Sequence, residues 1–115
     1  MIPVDYIEFR EILGNKLNDA KLWLAEKEVA VLAAHKEANP TDRSAADKVL
    51  AQYKVHDEEW NEKENDLKVM ERRLSTVNFC LETLQKMISI VSACVITVEM
   101  YQQYVAAYGK FFERG

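Results

Sequence analysis

One of the two histidines opens an acidic run, and this cluster is the first place where the chain could carry chemistry. His56 begins the segment HDEE at 56–59. Helical bundles that bind two iron ions use a Glu three residues before a His on two separate helices. Neither His35 nor His56 has such a Glu. We therefore interpret the run as a solvated charged face, with His56 at the edge of a helix core beside Trp60, and expect no metal.

The two cysteines are the second candidate. Cys80 and Cys94 are 14 residues apart, so on an unbroken helix they share one face but lie roughly 21 Å apart. A disulfide needs Cα atoms within about 7 Å, which leaves two buried free thiols, or a bridge between chains. The sequence has no Gly-rich phosphate loop, nucleophile elbow or Cys-x-x-Cys pair. We therefore expect no enzyme, no catalytic residue and no cofactor.

The composition indicates helices. Of the 115 residues, 49% are hydrophobic and 30% charged, with only three Gly and two Pro. Sheet-containing folds need more turns than so few Gly and Pro allow. The formal net charge of −4 lacks the basic excess of a duplex-binding protein, so no nucleic-acid partner is expected. The length suits a single domain over 1–115.

One turn divides the chain. A residue before proline avoids the α region, so a helix should end just before Asn39-Pro40. Ser44, with Asp47 three residues later, resembles a capping box that would start the next helix, and Thr41 and Asp42 are competing caps. No Gly or Pro follows until Gly109. The resulting prediction is a helix over 4–38, a turn over 39–43 and a second helix over 44–108.

The second helix has a heptad pattern. Alternate steps of three and four residues from Ala46 to Val105 visit 18 positions, of which 15 are apolar. Such a period, kept over many heptads, is typical of coiled-coil packing. The predicted fold is all-α, an antiparallel helical hairpin with a long second helix of the coiled-coil type. A three-helix bundle is the alternative, with a break near 75–78.

The C-terminal half of that helix is too apolar to stay in water. Between 79 and 98 only Glu82 and Lys86 are charged, and a third apolar position per heptad widens the stripe so that it needs two or more neighbouring helices. The first helix would reach only half of the second, so another copy or a partner helix should cover the rest. The predicted interface consists of Leu74, Val77, Leu81, Leu84, Ile88, Val91, Val95, Val98, Tyr101 and Val105.

The turn also has a likeness to a known family. The run Asn39-Pro40-Thr41-Asp42, with the segment 46–53 after it, resembles the turn of type III secretion needle subunits. The resemblance implies a helical hairpin that polymerises through its helices. This chain is longer than such subunits usually are and its C-terminal half is more apolar, so no residue role is carried over.

The sequence therefore predicts a non-enzymatic helical interaction or assembly protein that forms homo-oligomers or binds a partner protein's helix. A needle- or filament-like subunit, its chaperone, or a phage-encoded inhibitor of a host protein are the alternatives. The most apolar stretch, 87–98, is about a dozen residues, short of the roughly 20 needed to cross a bilayer. With no signal-like N-terminus, a cytoplasmic location is expected, and export by a route without a signal stays open.

Overall fold

The computed structural model describes residues 1–113, and within them the chain is all-α, with four α-helices and a final 3-10 turn. We number them in chain order, and their bounds are α1 Val4–Ala38, α2 Ala46–Lys54, α3 Glu58–Ser92 and α4 Val98–Tyr108, followed by the 3-10 turn Gly109–Phe112.

The turn after α1 lies where the sequence places it, but its hydrogen bonds differ from the expected ones. Helix α1 ends at Ala38, and Oδ1 of Asp42 accepts hydrogen bonds from both the backbone N–H and the hydroxyl of Ser44. Helix α2 begins at Ala46 with Ala45 in the N-cap position and no side-chain cap. The expected capping box at Ser44 is wrong, because its hydroxyl is bonded to the preceding turn.

The predicted continuous helix over 44–108 is also wrong, and its first interruption is at 55–57. Asp57 caps the next helix there, since its Oδ1 accepts the backbone N–H of Trp60 at 3.0 Å. The side chain of Asn61 donates to the carbonyl oxygen of Lys54 at 2.7 Å and so satisfies the end of α2. The heptad spacing of the sequence runs through this junction, from Tyr53 to Trp60 seven residues later, and so gives no sign of the break.

The second interruption is at 93–97, and α3 runs unbroken through 75–78, where the alternative bundle would have folded back. After α3 ends, Cys94 has a φ of 59°, in the left-handed region. The N–H of Cys94 bonds to the carbonyl oxygen of Val91, and the N–H of Val95 bonds to that of Ile90. This pair of bonds is a Schellman motif, which ends helices by satisfying their last carbonyl groups.

The described chain divides into two compact units. The first contains Met1–Lys16 and the chain from Met70 onward, and the second is Leu17–Val69. Each unit has its own apolar cluster. The cluster of the first is built around Val77, Leu81 and Leu84, and the cluster of the second around Leu24, Leu50 and Trp60. The expectation of a single helical domain over 1–115 stays a prediction.

Candidate functional site

The core of the first unit covers much of the stripe that was expected to need a second molecule. Val77 and Leu84 are fully buried, and Leu81 nearly so. Their neighbours come from the N-terminal part of α1, which contributes Tyr6 and Phe9, and from the chain after the turn at 93–97. The argument that a wide stripe needs two neighbouring elements holds, but for these three residues both neighbours belong to the same chain.

The aromatic residues at the C-terminal end close this core. Phe112 is buried, and its ring stacks on that of Tyr6, with centroids 4.0 Å apart and an angle of 2° between the planes. The ring of Phe9 meets the Phe112 ring edge-on, with the two centroids 5.8 Å apart. The 3-10 turn therefore anchors the end of the chain on α1, so Phe112 is a packing residue.

The ten residues of the predicted interface fall into three groups in the structure. Val77, Leu81, Leu84 and Tyr101 are buried in the core of the first unit. Leu74, Ile88, Val91 and Val105 are partly buried and pack against that core. Val95 and Val98 are exposed, by 73% and 55%. The last two groups can contact another molecule without opening the fold, and so can Tyr101, which lines the groove described next.

Part of the predicted interface borders a groove on the first unit. The groove has a volume of about 420 Å³, within the range of ligand-binding clefts, and its lining is mainly apolar. The end of α3 forms one side and α4 forms the other. It is lined by Met1, Ile88, Val91, Ser92, Val98, Tyr101, Gln102, Val105 and Ala106.

Sequence reasoning found five of these lining residues and did not assign the other four to the interface. Ser92 and Ala106 are small residues that leave space between the two helices, and a heptad pattern gives no weight to small or polar positions. Gln102 occupies a core position of the predicted heptads, but it is one of the three core positions that are not apolar, so it was not assigned to the interface. The groove exists because α4 turns back, and the expected straight helix had no such cleft.

The turn between α3 and α4 sets the rim of the groove. Thr97 caps α4, with its hydroxyl oxygen accepting the N–H of Met100 at 3.2 Å. Val98 is the first residue of α4 and lines the groove, while Val95 lies in the turn. β-Branched residues here weaken a continuous helix, and a Thr before an acidic first turn is an N-cap signal. That signal, with Glu99 in the first turn, could have located the break.

Tyr101 lines the groove and also belongs to the core cluster of the first unit. Its side chain is buried, and its hydroxyl has no hydrogen-bond partner within residues 1–113. Burial raises the pKa of Tyr101, because removal from water penalises the charged phenolate. The contribution of Tyr101 to the core is therefore the packing of its ring.

The residues that first suggested chemistry do not come together. His56 is exposed, and no group of three His, Cys, Asp or Glu side chains within residues 1–113 is arranged to hold a metal ion. Cys80 is buried, and its burial raises the pKa of its thiol. Cys94 is exposed, so the expectation that both thiols are buried on one unbroken helix is wrong for Cys94, which lies in the turn after α3.

The second unit has charged side chains arranged around tryptophan. Trp60 is fully buried, and the ammonium group of Lys54 lies 4.9 Å from its ring centroid and 2.8 Å from Glu64. Lys27 pairs with Asp57 at 3.3 Å. The pKa of Asp57 is lowered, chiefly by the hydrogen bond from the N–H of Trp60. These contacts connect the three helical segments of this unit, so we assign them a structural role.

The fold places this chain in the all-α class. No family model, curated protein or solved structure matches it. Among the described helices, none combines the length and the apolar character needed to cross a bilayer.

Proposed function

We propose that the protein is a non-enzymatic helical interaction protein, and that it associates with a second copy of itself through the groove between α3 and α4. The observation that supports this proposal is the apolar groove, which is lined by the exposed Val98, with the exposed Val95 three residues earlier in the turn before α4. Exposed apolar residues next to an apolar cleft are typical of surfaces that bind another protein.

A second copy is favoured because the same patch supplies both a depression and projecting side chains. Twofold dimers use one surface on both subunits, so the surface must be complementary to itself. Here Val98 lines the groove and is also 55% exposed, and Val95, in the turn before it, is 73% exposed. None of the side chains that line the groove is charged, and neither is that of Val95, so the side chains of this surface need no ion pair for association.

The binding mode is that of an amphipathic helix whose apolar side lies in an apolar groove. Helix α4 offers such a side, with Val98 and Val105 on the groove. In the proposed dimer, each α4 contacts the groove of the other copy. The helix of a different protein could occupy the same groove, and this second possibility covers the chaperone and the inhibitor of a host protein, whereas a needle-like subunit would associate with its own copies.

The test is the molar mass by light scattering over a range of protein concentrations, for the unchanged protein and for Val98→Asp. Position 98 is exposed and is the first residue of α4, where an acidic side chain is favourable to the helix. The substitution should therefore preserve the fold while it places a charge in the interface. We expect a dimer for the unchanged protein and a monomer for Val98→Asp.

The matched control is Val29→Asp, which removes a valine on α1 in the second unit that is 68% exposed, somewhat more than Val98. It should leave the molar mass unchanged, with circular dichroism confirming that both variants stay helical. A monomer at every concentration for the unchanged protein would reject the second copy as the occupant. Equal dissociation by both variants would reject the groove as the interface.

A further inference from the structure

A separate small pocket on the first unit is lined by three cationic residues and one aromatic residue. Arg72, Arg73 and Thr76 come from α3, and Lys110 and Phe111 come from the 3-10 turn. The pocket has a volume of about 240 Å³. The chain has a net charge of −4, so this concentration of positive charge is local. It is not visible in the sequence, because residues 72–76 and 110–111 are far apart along the chain.

These cations have no acidic partner within the described chain. Over residues 1–113, the ion pairs at 4.0 Å or less involve other basic residues, namely Lys27, His35 and Lys54. Glu71 directly precedes Arg72 in the sequence, and Glu113 follows two residues after Phe111, but neither glutamate lines the pocket. Three positive charges that share a small concave space repel one another, and an anion placed between them would relieve this repulsion.

The guanidinium group of Arg73 is held in position by two contacts with uncharged groups. It donates a hydrogen bond to the carbonyl oxygen of Glu113 and lies 4.8 Å from the ring centroid of Phe9. A guanidinium has five N–H donors, so donors remain for a ligand. On the other side, the ammonium group of Lys110 lies 5.0 Å from the ring centroid of Phe111. Thr76 uses its hydroxyl to bond to the carbonyl oxygen of Arg72, so the ligand charge would be met by the three cations.

We propose that this pocket binds the phosphoryl group of a small phosphate monoester. Guanidinium groups match the tetrahedral oxygens of a phosphoryl group with paired N–H donors, and Lys adds a point charge. The volume is smaller than that of a cleft for a drug-sized ligand, so it suits a phosphoryl group with a short organic part. The ring of Phe111 provides an apolar surface for that part.

The charge of the ligand also follows from the pocket. Three cations favour a dianion over a monoanion such as a carboxylate. A phosphate monoester carries nearly two negative charges at neutral pH, because its second pKa is about 6. Binding should therefore be tighter at pH 7.5 than at pH 5, since the ligand loses one charge between them while Arg and Lys keep theirs.

The test is titration of the full chain with phenyl phosphate, followed by nuclear magnetic resonance of the backbone and of the arginine side chains. We expect saturable shifts at 72–76 and 110–111. Arg72→Gln and Lys110→Gln each remove one cation from the exposed edge of the pocket and should weaken binding about fivefold or more. Arg43→Gln removes the same charge from the turn before α2, outside the pocket, and should change the affinity less than twofold.

Three results would overturn the proposal. The first is no saturable shift at 72–76 and 110–111 at millimolar phenyl phosphate. The second is equal weakening by Arg43→Gln and by the two pocket variants, which would mean that only the net charge matters. The third is equal binding of benzoate with no change between pH 7.5 and pH 5, which would mean that the pocket does not select a dianion. Matching melting temperatures for all variants exclude unfolding as the cause of any loss.

Discussion

The hydroxyl group of Tyr6, near the start of α1, donates a hydrogen bond of 2.7 Å to the carbonyl oxygen of Val105, near the end of α4. The two residues are 99 positions apart in the chain. Val105 would normally receive the N–H of Gly109, but that N–H bonds to the carbonyl oxygen of Ala106 instead. The last carbonyl groups of a helix need partners from outside the helix, and Tyr6 supplies one.

This hydrogen bond predicts the effect of Tyr6→Phe. The variant keeps the ring stacked on Phe112 but leaves the partly buried carbonyl oxygen of Val105 without its donor. We expect the free energy of unfolding, measured by urea denaturation, to fall by about 1 kcal/mol. Tyr104→Phe is the control, because the Tyr104 side chain is 45% exposed and should lose almost nothing. An unchanged free energy for Tyr6→Phe would show that water replaces the donor.

The space around Gly14 and around Gly109 predicts opposite effects of the same substitution. A Cβ added at Gly109 would lie 3.1 Å from the hydroxyl oxygen of Tyr6, whereas one added at Gly14 would meet nothing within 4 Å. The Tyr6 ring is fixed by its stacking and its hydrogen bond, so it cannot easily move away. We expect Gly109→Ala to destabilise the protein by about 1 kcal/mol and Gly14→Ala to stabilise it by up to about 1 kcal/mol.

A double variant tests this explanation. Removing the Tyr6 hydroxyl also removes the close contact, so Gly109→Ala should cost less in the Tyr6→Phe background than in the unchanged protein. Simple additivity of the two substitutions would contradict the contact. Thermal or urea unfolding of the four proteins completes the cycle.

The left-handed backbone at Cys94 predicts that glycine is preferred there. A residue with a Cβ at a φ of 59° is strained by roughly 1 kcal/mol or more, and helices that end in a Schellman motif usually have Gly in this position. We expect Cys94→Gly to raise the free energy of unfolding by about 1 kcal/mol. Cys94→Ala keeps the Cβ, so it should be nearly neutral and controls for loss of the thiol.

The two thiols should differ sharply in reactivity. Cys94 is exposed, whereas Cys80 is 1% exposed and burial raises the pKa of its thiol. The thiolate is the reactive form, so a thiol reagent at pH 8 should modify one cysteine quickly and the second only as the first unit opens. Cys94→Ala should abolish the fast phase. Two equal rates in the unchanged protein would contradict the burial of Cys80.

The cap at Asp57 predicts a pH dependence. Its pKa is lowered in the folded protein, first by the N–H of Trp60 and further by Lys27, so folding favours the carboxylate. The resulting stabilisation is fully present above the ordinary Asp pKa near 4 and is lost as the pH falls through the lower pKa of the folded state. The melting temperature of the unchanged protein should exceed that of Asp57→Asn at neutral pH, and the difference should shrink below pH 4.

The junctions show how far sequence patterns reach. The turn at Pro40 was placed correctly, because proline restricts the backbone before it wherever it occurs. The breaks at 55–57 and 93–97 were missed, although Asp57 and Thr97 are residues that cap helices. A single capping residue is a weak, local indication of a break, whereas the heptad pattern continues through both breaks. A residue of the same type can also lie in the middle of a helix with its side chain in solvent.

The site was predicted in part for a related reason. The pattern identified apolar residues that must be shielded from water, and the burial of Val77, Leu81 and Leu84 agrees with that requirement. It could not identify what shields them, because hydrophobic burial has no direction and any apolar surface serves. The pocket lined by Arg72 and Lys110 could not be predicted from the sequence either, because only tertiary packing brings α3 and the 3-10 turn together.

The sequence alone determined that the chain is helical, where its first helix ends and which side of α3 must leave water, because propensity, proline and apolar spacing act within a few residues. The tertiary structure decided that α4 turns back at Cys94 and that Tyr6 and Phe112 close the core. It also decided which valines stay exposed. Those outcomes depend on contacts between parts of the chain that are far apart in sequence. Such contacts form, and contribute their free energy, only when the whole first unit packs.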